Sequence, residues 1–147
     1  GVKLKLNANR SSIENKKIIL VDDSLVRGTT SHKIVKMLYD AGAKEVHLRI
    51  ASPPIKYPDY YGVDTPSKDE LLASKMNLEN MRKHINAKTL KFLSIEGLYK
   101  SMGYDKRNSS YPQFTDHCFT GEYPVKPIDA HNEDLNDNEV SFMSSKP

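Results

Sequence analysis

The sequence predicts an α/β domain built on a parallel β-sheet, and three features of one stretch support that prediction. Residues 18–21 are four consecutive aliphatic side chains. Two aspartates, Asp22 and Asp23, follow them and lead into a short polar loop. Apolar residues at helical spacing come after the loop and stop at Gly42. A strand, a polar loop and a helix in this order form the first half of a βαβ unit.

The first strand is expected at residues 18–21, because a short aliphatic run rich in β-branched residues is typical of a strand buried on both faces. The helix is expected over residues 31–41. Residues 45–51 alternate in polarity and predict a second strand, parallel to the first by the right-handed crossover rule. His47 is expected to be solvated or loosely packed rather than catalytic, because nothing nearby would orient it. The loop at residues 52–54 either walls a site or merely ends the strand.

Later elements are predicted from capping residues. Ser67 with Glu70 three residues on forms a capping box and predicts a helix start. Asn77 is expected to cap another helix, residues 90–93 to form a short strand, and Ser94 to cap a last helix.

We therefore expect residues 1–103 to be part of one domain, with a strand pattern at residues 2–6. Residues 104–128 contain several prolines and predict an irregular extension. Residues 129–147 are rich in Asn, Asp, Ser and Glu, which predicts a disordered tail.

The composition argues against several classes of protein. A net charge of +3 is too small to indicate a nucleic-acid or membrane partner. No apolar run approaches the length of a membrane span. A single cysteine excludes an internal disulfide and fits a reducing, cytoplasmic location.

The stretch after the first strand is the candidate site. Ligands of open α/β sheets bind at the carboxyl ends of strands, where the N-terminus of the next helix favours an anion. Gly28 permits a positive φ and a close backbone approach, and Thr29 and Thr30 add hydroxyl donors. Asp22 and Asp23 repel phosphate but suit sugar hydroxyls or magnesium. On these residues alone, an ordinary turn with an aspartate cap is an equal alternative.

Residues 21–30, Val-Asp-Asp-Ser-Leu-Val-Arg-Gly-Thr-Thr, resemble the phosphoribosyl-pyrophosphate (PRPP) signature of the type I phosphoribosyltransferases. Four flanking motifs narrow the resemblance to the glutamine amidophosphoribosyltransferase family. They lie at residues 4–7 with 10–11, 51–55, 61–66 and 118–124. The resemblance runs from about residue 2 to 128 and implies a partial type I phosphoribosyltransferase fold with C-terminal helices and an irregular tail.

The resemblance implies transfer of ammonia to C1 of PRPP, which gives 5-phosphoribosylamine in the first committed step of purine synthesis. Asp22 and Asp23 would be the catalytic pair, holding the ribose hydroxyls and Mg²⁺. The residues implied to bind PRPP with them are Ser24, Leu25, Val26, Arg27, Gly28, Thr29 and Thr30. Whether Arg27 contacts phosphate directly is left open.

The resemblance also implies partners. The chain would be the C-terminal part of a longer enzyme, inactive alone, that receives ammonia from a glutaminase half. Purine nucleotides would be feedback inhibitors and a homo-oligomer the working form.

Some members of the family hold an iron–sulfur cluster with four cysteines. Three of these positions would fall at Asp59, Thr115 and Cys118, and only Cys118 is a cysteine here. We therefore expect no iron–sulfur cluster, and Cys118 as a plain buried thiol.

Two alternatives are open at this stage. One is a purine salvage phosphoribosyltransferase. The other is a non-catalytic regulator that senses PRPP and binds DNA, although no helix-turn-helix or basic stripe supports it.

Overall fold

The computed structural model describes residues 8–125. The strand pattern at residues 2–6 and the tail from residue 129 lie outside that range. Strands are β1 (Lys17–Asp22), β2 (Glu45–Ile50) and β3 (Thr89–Phe92). Helices are α1 (Arg10–Ile13), α2 (Thr29–Asp40), α3 (Leu72–Lys75), α4 (Leu78–Ile85), α5 (Ile95–Ser101) and α6 (His117–Thr120), with a 3₁₀ turn at Lys68–Glu70.

The described strands form one parallel sheet in the order β1-β2-β3. In the register of the first pair, Lys17 lies opposite Glu45 and Asp22 lies opposite Ile50. Helix α2 connects β1 to β2, so the predicted α/β class and the βαβ unit are confirmed. The register places the carboxyl end of β1 beside the carboxyl end of β2, which is the edge where a ligand site is expected.

The core lies between the sheet and helices α2 and α4. Val35 and Leu38 of α2 pack with the buried face of β2, and Met81 and Ile85 of α4 close the same cluster. Leu25, from the loop after β1, belongs to this core and is 1% exposed. The loop that carries the candidate site is therefore anchored in the main hydrophobic cluster.

One prediction about β1 is wrong. We expected both of its faces to be buried, but Ile19 is 68% and Val21 is 67% exposed. Ile18 and Leu20 pack against the core, while nothing within residues 8–125 covers the opposite face. An aliphatic run cannot distinguish a strand with two covered faces from one whose second face has no partner in the same segment.

The capping predictions divide into two confirmed and one wrong. Asn77 Oδ1 accepts a hydrogen bond from Asn80 N–H at 2.9 Å at the start of α4. Ser94 Oγ accepts one from Gly97 N–H at 2.9 Å at the start of α5. Ser67 caps no backbone amide and begins only the 3₁₀ turn.

Ser67 does not cap a backbone amide because its hydroxyl acts as a donor, to the carboxylates of Asp69 and Glu70. The short α3 then begins separately, after Leu71. A capping box needs the hydroxyl as an acceptor, so the same residues produce a local side-chain cluster instead.

The described residues 104–125 are mostly irregular and contain the short helix α6, which was not predicted. Their main attachment is Asp116, whose carboxylate accepts hydrogen bonds from Tyr99 Oη at 2.8 Å and from Arg107 Nε at 2.5 Å. Burial and the Asp116 carboxylate raise the pKa of Tyr99 to about 12. This buried polar network fixes the extension against α5.

None of the helices within residues 8–125 is long and apolar enough to cross a membrane.

Candidate functional site

The paired aspartates lie at the carboxyl end of β1. Asp22 ends the strand, and its carbonyl accepts a hydrogen bond from Ala51 N–H at 2.9 Å. Asp22 Oδ1 accepts from the Asp23 amide at 3.1 Å, and Asp23 Oδ1 accepts from the Ser24 amide at 2.6 Å. The Oδ2 atom of each carboxylate receives no hydrogen bond from residues 8–125. Each acid is thus oriented through one oxygen, and its other oxygen is able to accept a further hydrogen bond.

The loop after the aspartates is held by its neighbours. Leu25 inserts its side chain into the core, so that only its backbone can face a ligand. The carbonyl of Val26 accepts a hydrogen bond from Leu72 N–H at 2.9 Å. These two contacts give the loop a fixed backbone course before any ligand binds.

Gly28 occupies the left-handed region, with φ 76° and ψ −7°, which confirms the positive φ expected from the sequence. A Cβ atom built at this position would lie 2.7 Å from Leu72 Cδ2. Glycine is therefore required twice here, for the backbone angle and for the close approach of α3.

Helix α2 begins at Thr29, two residues before the predicted start. Its first backbone hydrogen bond runs from His32 N–H to Gly28 O at 2.9 Å. The amides of Thr29, Thr30 and Ser31 precede that bond and have no carbonyl one turn earlier to pair with. These amides and the positive end of the helix dipole form an anion-binding position.

The aspartates, the loop and the start of α2 line one cavity of about 450 Å³. Its lining consists of residues 22–31, so the structure brings together all nine candidate residues predicted from the sequence. This volume is within the range of small-molecule sites, roughly 300–1,000 Å³.

Arg27 makes an ion pair at the rim of this cavity. Its Nε and Nη2 atoms both lie 3.2 Å from Glu70 Oε1. Both side chains are about half exposed. A direct contact between Arg27 and phosphate would have to compete with this pair.

The loop at residues 52–54 does not line the cavity of residues 22–31. Pro54 instead lines a separate groove of about 520 Å³ with Met76, Met81 and Phe92.

His47 differs from the expectation. Its ring nitrogens contact Thr89 Oγ1 at 2.8 Å and Glu45 Oε2 at 3.0 Å, so it has two orienting partners. The hydrogen bond from His47 also lowers the pKa of Glu45. The partner Thr89 is 42 residues away, which is why the sequence did not reveal it.

A second polar cluster lies away from the cavity, where Asp59, His117 and Cys118 meet. Asp59 hydrogen-bonds to His117 Nε2 through Oδ1. Burial raises the pKa of Asp59, but hydrogen bonds from the Val63 and Tyr61 amides and from His117 outweigh burial and lower it overall.

Burial also raises the pKa of Cys118 to about 11, with the Asp59 charge adding to the effect. Cys118 is half-buried beside two polar groups, so the expectation of a plain buried thiol is wrong. One thiol with a carboxylate and an imidazole does not fit the thiolate set of an iron–sulfur cluster. The family resemblance had already placed Asp59 and Cys118 at cluster positions, but it did not single out His117, whose partner Asp59 is 58 residues away.

Comparisons with known proteins find relatives that match most of the chain. The chain is 55% identical over 146 residues to an amidophosphoribosyltransferase of Rhizobium etli, covering 99% of this chain and 29% of that protein. It is 51% identical over 126 residues to the Bacillus subtilis enzyme of the same name, covering 86% of this chain and 26% of that protein. No family model matches the chain.

A solved structure of an amidotransferase also matches most of the chain. The glutamine PRPP amidotransferase of Bacillus subtilis, complexed with ADP and GMP, superposes with a TM-score of 0.74 at 45% identity. The match covers 91% of this chain and 28% of that one. The expectation of a C-terminal part agrees with such partial coverage. The chain belongs to the glutamine amidophosphoribosyltransferase family and spans between a fifth and a third of the length of the relatives it matches.

Proposed function

We propose that this chain supplies the PRPP-binding part of an amidophosphoribosyltransferase. The observation that supports this most is the cavity lined by residues 22–31, in which two oriented carboxylates and a helix start share one space. PRPP carries a phosphate, ribose hydroxyls and a metal-binding pyrophosphate on one small sugar. The two halves of the cavity complement the first two of these groups.

The 5-phosphate binds at the start of α2 in this proposal. The amides of Thr29, Thr30 and Ser31 are donors, and the helix dipole favours the negative charge. The left-handed Gly28 carries no side chain that would hold the phosphate away from the loop amides. Each hydrogen bond to a charged phosphate contributes roughly 1.5–3 kcal/mol.

The ribose hydroxyls donate to the Oδ2 atoms of Asp22 and Asp23, which accept no hydrogen bond from residues 8–125. Carboxylate oxygens are also the donors that Mg²⁺ prefers, so the pair fits this ion as well. When bound with pyrophosphate, Mg²⁺ would supply charge neutralisation to the leaving group.

The reaction forms a bond from ammonia nitrogen to C1 of the ribose and breaks the bond from C1 to the pyrophosphate oxygen. C1 acquires oxocarbenium character as the leaving group departs with the bonding electrons. Residues 22–31 hold the sugar so that one face of C1 meets the ammonia, and positioning and electrostatics supply most of the catalysis. No general base is assigned.

The remaining partners belong to the same proposal. Ammonia comes from a glutaminase part of the complete enzyme, and purine nucleotides act as feedback inhibitors. The related Bacillus subtilis enzyme, which was solved with ADP and GMP, supports the nucleotide proposal. A homo-oligomer and a cytoplasmic location stay predictions.

Asp22→Asn and Asp23→Asn in the complete enzyme test the proposal. Each change keeps the side-chain shape and removes a charged acceptor, so PRPP-dependent pyrophosphate release should fall by about tenfold to 150-fold. Asp40→Asn is the matched control, because Asp40 lies at the far end of α2 in an exposed pair with Lys36. Turnover of all three variants equal to the unmodified enzyme would contradict the proposal.

A further inference from the structure

The cluster of Asp59, His117 and Cys118 has the composition of a metal site. Asp59 comes from the long loop after β2, and the other two residues begin α6. One ligand atom from each residue lies within 4.8 Å of the other two. An oxygen, a nitrogen and a sulfur donor are thus brought together by two separate segments.

The site is buried and its parts are held in place. The side chains of His117 and Asp59 are 5% and 4% exposed. Asp59 Oδ2 accepts hydrogen bonds from the amides of Tyr61 at 2.9 Å and Val63 at 2.8 Å, which leaves Oδ1 directed at the imidazole. Such supporting hydrogen bonds orient a carboxylate before a metal arrives.

The backbone joins the two segments at the same place. The carbonyl of Cys118 accepts hydrogen bonds from Lys56 N–H at 2.9 Å and Tyr57 N–H at 3.2 Å. The cluster is therefore formed by fixed backbone contacts and does not depend on a chance approach of long side chains.

His117 also has an unusual polar atom. Its Nδ1 is buried and has no hydrogen-bond partner within residues 8–125. Buried polar atoms without a partner are rare in folded proteins, and a bound water is one of their common explanations. The imidazole lies against Tyr61, with ring centroids 4.9 Å apart, and against Tyr123, at 5.0 Å, so it cannot turn outward to solvent without breaking that packing.

We propose that Asp59 Oδ1, His117 Nε2 and Cys118 Sγ bind one divalent zinc-class ion, with a water molecule as the fourth ligand. The ion would replace the hydrogen bond between Oδ1 and Nε2. Mixed nitrogen, oxygen and sulfur donors suit Zn²⁺ and Co²⁺ and disfavour Mg²⁺ and Ca²⁺. Bond lengths of 2.0–2.3 Å place tetrahedral ligand atoms roughly 3.4 Å apart. The observed limit of 4.8 Å needs only side-chain adjustments of about an ångström. Binding releases the Cys118 thiol proton to solvent.

The ion would fasten the extension to the loop that follows β2. It lies outside the cavity of residues 22–31, so this proposal does not depend on the PRPP assignment. Loss of metal should loosen the junction around α6 and leave the paired aspartates unchanged.

Titration of the metal-free purified protein with Co²⁺ tests the proposal by absorption spectroscopy. We expect one Co²⁺ per chain, intense visible bands of a tetrahedral site and an ultraviolet sulfur-to-cobalt band. Cys118→Ser should remove the ultraviolet band, and Asp59→Asn should weaken binding at least tenfold. Asp64→Asn, an exposed acid near Asp59, is the control and should bind as the unmodified chain does.

The melting temperature is a second measurement, which tests the proposal even where a variant is unstable. Zn²⁺ should raise the melting temperature of the unmodified protein and of Asp64→Asn, and should have no effect on Cys118→Ser. Three results would overturn the proposal: no stoichiometric binding, binding that is equal in the unmodified protein and Cys118→Ser, or a cluster with labile sulfide in the protein as purified.

Discussion

Gly28 is the residue on which the shape of the proposed phosphate loop depends most. Its φ of 76° costs about 1–2 kcal/mol for a residue with a Cβ atom. The built Cβ would also lie 2.7 Å from Leu72 Cδ2. We predict that Gly28→Ala lowers the free energy of unfolding by about 2–5 kcal/mol, the sum of strain and overpacking, in urea denaturation.

The Gly103→Ala variant separates the cost of the positive φ from the cost of the contact with Leu72. Gly103 has a similar φ of 86°, but no atom lies within 4 Å of its built Cβ. This control should lose only the conformational cost, about 1–2 kcal/mol. Equal losses for the two variants would mean that the contact with Leu72 relaxes freely and does not constrain the loop.

Tyr99 predicts a pH dependence of stability. Burial, followed by its hydrogen bond to Asp116, raises its pKa to about 12, while an unfolded tyrosine titrates near 10. Above pH 10 the unfolded chain gains stability by ionising, whereas the folded protein stays protonated until about pH 12. The stability contributed by Tyr99 is therefore complete below pH 10 and falls between pH 10 and 12.

The measurement is the difference in unfolding free energy between the unmodified protein and Tyr99→Phe. We expect the unmodified protein to be more stable by about 1.5–3 kcal/mol at neutral pH, and this advantage to shrink between pH 10 and 12. Tyr111→Phe is the control, since Tyr111 is 72% exposed. A Tyr99→Phe difference that is constant up to pH 12 would contradict the assigned pKa.

Individual residues were predictable where the relevant partners are close in sequence. The order of Asp22, Asp23 and Gly28 between a strand and a helix was enough to predict their convergence and the positive φ. The pair of Arg27 with Glu70 was not predictable in this way, because 43 residues separate them and only the fold brings them together.

At the scale of elements, α4 shows a cap that the sequence predicted and the structure contains. Asn77 Oδ1 accepts from the Asn80 amide, and losing such a cap typically costs about 1 kcal/mol. We predict that Asn77→Ala destabilises the protein by about this amount in chemical denaturation.

Ser67→Ala is its matched control. Ser67 caps no amide and bonds only to exposed carboxylates, so the change should stay within about 0.5 kcal/mol. If Ser67→Ala cost as much as Asn77→Ala, a cap at the 3₁₀ turn would have to form in solution.

Helices of seven or more residues and all three described strands were predicted from sequence, whereas the shortest helices were not. Helices α2, α4 and α5 and strands β1 to β3 were all expected, with boundaries off by one or two residues. Helices α1 and α6 have four residues each, which is too short for an apolar period to be visible. Their positions depend on tertiary contacts such as that between Asp116 and Arg107.

At the scale of the whole molecule, the sheet has one well-covered face. Ile19 and Val21 point to the other face and are two-thirds exposed, although they are β-branched and apolar. The chain spans 21–29% of the length of the curated relatives compared with it. The fold seen here is accordingly compatible with a larger domain, and the sequence could not reveal which face lacked its cover.

The measurement that tests the central claim most directly is a crystal structure of the complete enzyme with Mg²⁺ and ribose 5-phosphate. We predict that the phosphate accepts hydrogen bonds from amides within residues 24–31 and that the ribose hydroxyls contact Asp22 and Asp23. A sugar phosphate bound elsewhere, with the cavity of residues 22–31 holding only solvent, would contradict the assignment of this site.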